Sequence, residues 1–433
     1  MKEEFSAENV EIKTKDKEFI GILLPSSKKD TVFLKLDSGY NIGIEKKNIK
    51  SMKRIKKVES EKKVLGKLEV NKNLPTIAIL HTGGTVASEV DYKTGAVSPR
   101  FTPEEIIAKF PELKNMANIR SKLIANMFSE DIRFSHYNKI AKEIENEVKA
   151  GVEGIIISHG TDTLHYTAAA LSFMLQDLGI PVILVGAQRS SDRGSSDAFL
   201  NLVSAALFIT KSDFAGVGIC MHSSMDDNNC VILPGLKSRK MHSSRRDAFK
   251  AINSNPIARV NYKKDLIEFL THDHKKSSKD LKLKVRLFNE KLKIGIVKAH
   301  PNMYASELKS YSSFNGLILE GTGLGHLPVN KLDKETTEHD KILKEISKLA
   351  KKMPVVMATQ TIFGRVNMNV YSTGRKLLEA GVLGNYSDMT TETAFIKLAY
   401  LLSNYKKDEI KRLMNENLHG EISKRIIGEE EFL

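Results

Sequence analysis

The chain has 433 residues, 41% of them hydrophobic, with 67 Lys and Arg against 53 Asp and Glu for a net charge of +14. That length and apolar content suffice for two or three domains at roughly 150 residues each. No run of about 18 apolar residues is present, which excludes a membrane-spanning helix of the usual length. The opening residues, MKEEFSAENV, lack the apolar core of a signal peptide. Cys220 and Cys230 are the only cysteines, which excludes a disulfide scaffold, and no spacing resembles a zinc site, so no metal is expected. A reducing, cytoplasmic setting follows as the expectation. The positive charge favours an acidic partner such as nucleic acid, or is simply a lysine-rich solvated surface.

In chain order, residues 1–70 read as a small β domain. Short β-rich runs at 10–12, 19–24, 31–36 and 40–44 alternate with turn signals at Pro25-Ser26-Ser27 and Asp37-Ser38-Gly39. Four or five such strands close best as an SH3-like barrel, an architecture used mainly for binding. Residues 46–63 carry nine Lys or Arg, among them Lys53, Arg54, Lys56 and Lys57, against two Glu. This run is a linker or a face that meets phosphates.

From residue 76 the pattern changes. Runs 76–80, 154–158 and 182–185 are continuously apolar, as in parallel strands buried on both faces. Helical periods at 138–149 and 164–178 lie among them. This alternation predicts a doubly wound α/β domain over 75–260. Residues 261–292, rich in lysine, read as a connector, with a solvated loop around His272, Asp273 and His274. A smaller α/β domain over 293–433 follows, with strands at 293–298, 316–319 and 354–358 and a helix over 392–413.

Two segments carry chemistry. His81-Thr82-Gly83-Gly84-Thr85 follows the first buried strand, and Ser158-His159-Gly160-Thr161-Asp162-Thr163 follows the second. Strand ends of open α/β sheets form ligand crevices, and glycines there let the backbone turn sharply and approach a ligand. The first segment lacks the Gly-Lys-Ser/Thr ending of a nucleotide loop. The second puts a hydroxyl beside a carboxylate; a threonine hydroxyl becomes a useful nucleophile once a neighbouring base takes its proton. Taken singly, each motif reads equally as a plain turn or a helix cap.

Together the two motifs resemble the paired signatures of the L-asparaginase/glutaminase family. The resemblance spans roughly residues 75–425. It continues through Gly186-Ala187-Gln188-Arg189, the run from Ser195 to Leu202, the loop from Gly321 to His326, and the run from Tyr371 to Ala380. It implies that Thr85 is the nucleophile and that Thr161, Asp162 and Lys240 form the second catalytic group. Lys240 stands nine residues before Phe249, the spacing of the family. Ser129, Glu130, Tyr92, Gly84 and Gly160 are implied as substrate-binding positions, with Glu130 standing where many members have Gln. The implied chemistry is acyl transfer from a side-chain carboxamide without a cofactor in this chain.

An extra N-terminal β domain, His81 and His326 in Gly325-His326-Leu327-Pro328 resemble one branch of that family, the GatD-type glutaminase subunits of archaeal glutamyl-tRNA(Gln) amidotransferases. That branch implies glutamine as substrate and a homodimer within a heterotetramer. It also implies a GatE-type partner subunit that uses ATP and magnesium on Glu-tRNA(Gln). The alternatives are a stand-alone L-asparaginase with a fused domain, and a scaffold that has lost its chemistry.

Overall fold

The computed structural model describes residues 9–24, 30–36, 41–55, 70–84, 88–90, 97–99, 102–189, 195–271 and 274–425. Thr85, Tyr92, Lys56, Lys57, His272, Asp273 and the expected turns at Pro25 and Ser38 lie outside them.

The N-terminal unit is a five-stranded antiparallel sheet. Strands Asn9–Thr14, Glu18–Leu24, Thr31–Leu36 and Asn41–Glu45 follow one another as a meander. A fifth, Ile49–Arg54, follows a single 3-10 turn, Lys46–Asn48, and pairs back onto the first. This order is SH3-like, and Val10, Ile12, Val32, Leu34 and Ile44 form its core. The fifth strand corrects the reading of 46–63 as linker or phosphate face throughout: its first half completes the sheet. Lys50, Lys53 and Arg54 point to solvent while Ile49 packs on the core, so charge concealed the strand period.

The large unit is an eight-stranded sheet. From one edge the order is Leu266–Phe269, Ala258–Asn261, Cys230–Pro234, Gly216–His222, Pro181–Val185, Gly154–Ser158, Thr76–His81 and Asn118–Leu123. The last five are parallel to one another, and the first three are antiparallel to their neighbours. The apolar runs read as parallel strands, 76–80, 154–158 and 182–185, are parallel, and the sheet is mixed because three antiparallel strands extend it on one side. The apolar runs are explained by two-sided burial: Ala78, Leu80, Ile155 and Ile157 enter one core cluster, and Ile77, Ile79 and Ile156 the other. Residues 261–292 are not a bare connector, because Leu266–Phe269 is the sheet's edge strand. The charged turn Lys263-Lys264-Asp265, with Asp265 in the left-handed region at φ 53°, masked the hairpin.

The C-terminal unit has three parallel strands in sequential order, Ile294–Lys298, Gly316–Gly321 and Val355–Thr359. Alternate residues again serve two faces. Leu317, Leu319, Val355 and Met357 pack with Ile342 and Ile346 of helix Thr337–Lys352. Ile318, Val356 and Ala358 share the main core with Leu398 of helix Thr391–Asn404. That core therefore runs continuously from the large sheet into the small one. The single helix expected over 392–413 is two, Thr391–Asn404 and Lys407–Asn415, because Tyr405 and Lys406 are extended and the Glu409 side chain accepts from the Lys406 N–H at 3.1 Å.

The chain after the last helix is tied down by a buried ion pair. Lys397 Nζ meets Glu421 Oε1 at 2.7 Å, and both side chains are 0% exposed. The same ammonium donates to the carbonyls of Met414 and Glu416, and the Glu421 carboxylate accepts from the backbone N–H groups of Leu418 and His419. Burial holds the Lys397 pKa below the usual lysine value despite Glu421. Removing one partner strands the other's charge in the core, so Glu421→Gln is expected to cost about 3–5 kcal/mol in urea unfolding. An unchanged midpoint would mean that the pair is better solvated than the structure has it.

Candidate active site

Each functional segment sits at the carboxyl end of a parallel strand. The Gly84 turn follows Thr76–His81, the His159 turn follows Gly154–Ser158, and the Gln188 loop follows Pro181–Val185. The three strands are adjacent in the sheet, so the turns converge by construction. The first two are in near backbone contact. Gly84 has φ 83°, and a Cβ there would lie 2.8 Å from the Gly160 nitrogen and 2.9 Å from the His159 carbonyl carbon. A Cβ on Gly160 would in turn lie 2.9 Å from Ser129 Cβ. Glycine at both positions therefore lets the 84, 160 and 129 segments stack, where any side chain would force them apart.

The structure brings Thr161, Asp162 and Lys240 together. Lys240 Nζ donates to Thr161 Oγ1 at 2.9 Å and to Asp162 Oδ1 at 2.7 Å. The lysine side chain is 10% exposed, whereas Asp162 is 67% exposed. Lys240 reaches the site from a two-stranded ribbon, Ser238–Lys240 against Phe249–Ala251, in which it stands directly opposite Phe249. The nine-residue spacing noted in the sequence is therefore a register. Thr161 Oγ1 also faces Gln188 Oε1, at 3.5 Å.

Ser129 is buried beside Gly160, at the start of the 3-10 turn Ser129–Asp131, and its carbonyl accepts from Thr163 Oγ1 at 2.6 Å. Glu130 in the same turn is exposed. Gly84 and Gly160 fall in the stack just described. Thr85 and Tyr92 lie outside the described residues, so Gly84 is the last described residue before the expected nucleophile.

Beneath these turns lies a buried polar layer; the sequence marks His81 and His159 within their motifs but not the contacts they make. His159 donates from Nδ1 to its neighbour's carbonyl, Gly160 O, at 2.7 Å, and its Nε2 accepts from Thr167 Oγ1 at 2.8 Å. His81 Nδ1 lies 2.7 Å from Ser158 Oγ, and its Nε2 lies 3.2 Å from Ser121 Oγ. Asp197, fully buried, accepts from the backbone N–H groups of Gln188 and Arg189 at 3.0 and 2.9 Å and from Asn201 Nδ2 at 3.1 Å. It pins the loop that presents Gln188, whose Nε2 is buried without a partner among the described residues. The Gly186-Ala187-Gln188-Arg189 and Ser195-to-Leu202 runs were visible in the sequence; that Asp197 binds the first of them was not, because the contact is tertiary.

Burial drives the pKa of His81 down to about 3, of His159 to about 4 and of His165 to about 3. All three are neutral at neutral pH. An unfolded chain binds protons at these groups near the ordinary histidine value of about 6.5, and the folded chain resists them. Their contribution to stability is complete above that value and falls away as pH drops toward the folded values. The urea midpoint at pH 5 is thus expected below that at pH 7.5, with a shallower dependence in His81→Gln. Equal midpoints at the two pH values would contradict it.

Among the described residues, no group of three or more His, Cys, Asp or Glu could hold a metal, and both cysteines are free and buried. No described helix is long and apolar enough to cross a membrane.

A mixed α/β sheet with glycine turns at adjacent strand ends, a lysine on a threonine–aspartate pair, and a smaller parallel domain behind them define an asparaginase-type protein. Comparison with known proteins agrees. The family described as "Asparaginase, N-terminal" matches residues 76–274, "Glutaminase/Asparaginase C-terminal domain" matches 293–414, and "GatD N-terminal domain" matches 6–55. The thermostable L-asparaginase from Thermococcus kodakarensis superposes with a TM-score of 0.69 at 30% identity, covering 81% of this chain and 100% of that one. L-asparaginase I from Vibrio cholerae gives 0.68 at 28%, covering 81% and 99%. The GatD subunit of glutamyl-tRNA(Gln) amidotransferase from Methanococcus maripaludis is 44% identical over 422 residues, 96% of this chain and 98% of that protein. Its counterpart in Pyrococcus furiosus is 45% identical over 420 residues, 94% and 91%. The chain belongs to the GatD family of amidotransferase subunits, a branch of the asparaginases. Members of that family are subunits, so they work in complex with a partner.

Proposed function

We propose that this chain is the glutaminase subunit of a tRNA-dependent amidotransferase in the cytoplasm. The observation that carries the chemistry is the Lys240 ammonium bonded at once to Thr161 and Asp162 while 10% exposed. Thr85, one residue beyond the Gly84 turn, attacks the side-chain amide carbon of glutamine. Its proton passes by way of the Thr161–Lys240 pair to the leaving nitrogen. Lysine serves such a role when its position is fixed beside the hydroxyl that takes part in the transfer. Backbone N–H groups of the stacked turns meet the developing oxyanion. Ammonia leaves, and water then attacks the acyl-enzyme, releasing glutamate and returning the proton to Thr85.

Asp162, exposed and acidic at the mouth of the site, suits the substrate's α-ammonium, with Ser129 and Glu130 beside it. Gln188 Nε2 adds a donor that has no partner among the described residues. No cofactor is required here; ATP and magnesium belong to a GatE-type partner, which converts Glu-tRNA(Gln) to Gln-tRNA(Gln) with the ammonia supplied. Two copies of this chain pair with two of the partner. The rival, a stand-alone asparaginase, predicts ammonia release from asparagine by the chain alone. The test compares glutamine and asparagine with and without the partner, ATP, magnesium and Glu-tRNA(Gln). Glutamine hydrolysis rising in the complete mixture supports the amidotransferase role; asparagine hydrolysis indifferent to it contradicts that role.

A further inference from the structure

The ribbon that carries Lys240 is not part of the eight-stranded sheet. Ser238–Lys240 pairs with Phe249–Ala251 alone. Several of its side-chain anchors lie in the other domain. Thr393 Oγ1 donates to the Leu236 carbonyl at 2.9 Å. Lys237 Nζ meets Asp388 Oδ2 at 2.8 Å, with side chains 6% and 0% exposed. Arg239 Nη2 meets Glu392 Oε1 at 3.1 Å, the carboxylate 8% exposed. On the partner strand, at the same open end of the ribbon, the Asn253 side chain donates to the carbonyls of Asp388 and Gly364 and accepts from the Gly364 N–H at 2.8 Å. Thus residues 388–393, at the head of helix Thr391–Asn404, hold both strands of the ribbon at its open end, through Leu236, Lys237 and Asn253, and the residue just before the catalytic lysine, through Arg239.

We propose that the C-terminal domain sets the placement of Lys240, with Arg239–Glu392 and Lys237–Asp388 as positioning pairs. The inference rests on the reading of Lys240 as part of the amidase machinery. In a strand, Arg239 and Lys240 project to opposite faces, so seating Arg239 on Glu392 turns Lys240 toward Thr161. Glu392 also neutralises a guanidinium one residue from the ammonium. His165, 4.0 Å away, and Tyr166 are the other titratable groups against that carboxylate, and burial holds both neutral. Whatever shifts the small domain against the large one, docking of a partner included, then moves a catalytic group without touching the substrate.

The test measures glutamine hydrolysis in the full complex. Arg239→Met is expected to lower kcat about 100-fold, the scale of an ångström-sized misplacement, with little change in KM, and Arg239→Lys to recover most of it. Because Arg239→Met leaves the Glu392 carboxylate unpartnered, the double variant Arg239→Met with Glu392→Leu is measured too. It removes both charges, so a kcat loss with an unchanged unfolding midpoint separates placement from folding. Wild-type kcat in the double variant, or a loss seen only alongside a lowered midpoint, overturns the proposal. Lys240→Met run in parallel distinguishes the two claims. If it too keeps wild-type activity, the reading of the site fails; if it alone is dead, only the positioning inference does.

Discussion

Thr85→Ala is expected to abolish glutamine hydrolysis, lowering kcat by about four orders of magnitude or more. Where a nucleophile and its proton acceptor act as one unit, removing the nucleophile costs nearly as much as removing the whole unit. Substrate affinity should persist, because the proposed ground-state contacts lie at Ser129, Glu130 and Asp162. Binding of glutamine by the variant, followed calorimetrically, with no ammonia released, is the expected pair of results. Full ammonia release would remove Thr85 from the chemistry and leave Thr161 as the candidate. Loss of binding together with activity would place Thr85 in recognition instead.

Lys240→Met carries the second large effect, a fall in kcat of about 1000-fold, within the range attributed to a positioned acid–base group. Methionine keeps the apolar stem and removes the ammonium. Asp162 is 67% exposed, so the substitution strands no buried carboxylate, and the ion pair itself is discounted by solvent to well under 1 kcal/mol. Activity should therefore collapse while the urea midpoint stays within experimental error of wild type. The contrast with Glu421→Gln is useful, since that variant is expected to lose stability at a pair 0% exposed on both sides. A Lys240→Met chain that retains activity would mean that another group moves the proton.

Much of this architecture is legible in the amino-acid sequence because two-sided burial leaves an unbroken apolar run. The strands Thr76–His81, Gly154–Ser158 and Pro181–Val185 announce themselves that way, and the motifs at their carboxyl ends fall where an α/β sheet forms its crevice. What stayed hidden is what depends on tertiary pairing. Ile49–Arg54 is a strand whose outer face is basic, so its composition reads as a solvated run. Leu266–Phe269 completes an antiparallel edge behind a left-handed Asp265. Lys240 could be singled out by its distance from Phe249, yet its tie to Thr161 spans 79 positions and its ribbon's anchorage to Asp388 and Glu392 about 150. Neither periodicity nor local propensity reports contacts of that range. Asp197, which fixes Gln188, went unread for the same reason, although its run was conspicuous.

Everything proposed for the site turns on glutamine being opened through a covalent bond to Thr85. The most direct test is mass-spectrometric mapping after incubation with the glutamine-mimicking diazoketone 6-diazo-5-oxo-L-norleucine, in the complete complex. One adduct per chain is expected, located at Thr85, blocked by excess glutamine and absent from Thr85→Ala. An adduct mapped to Thr161, or none formed while glutamine hydrolysis proceeds, would contradict it.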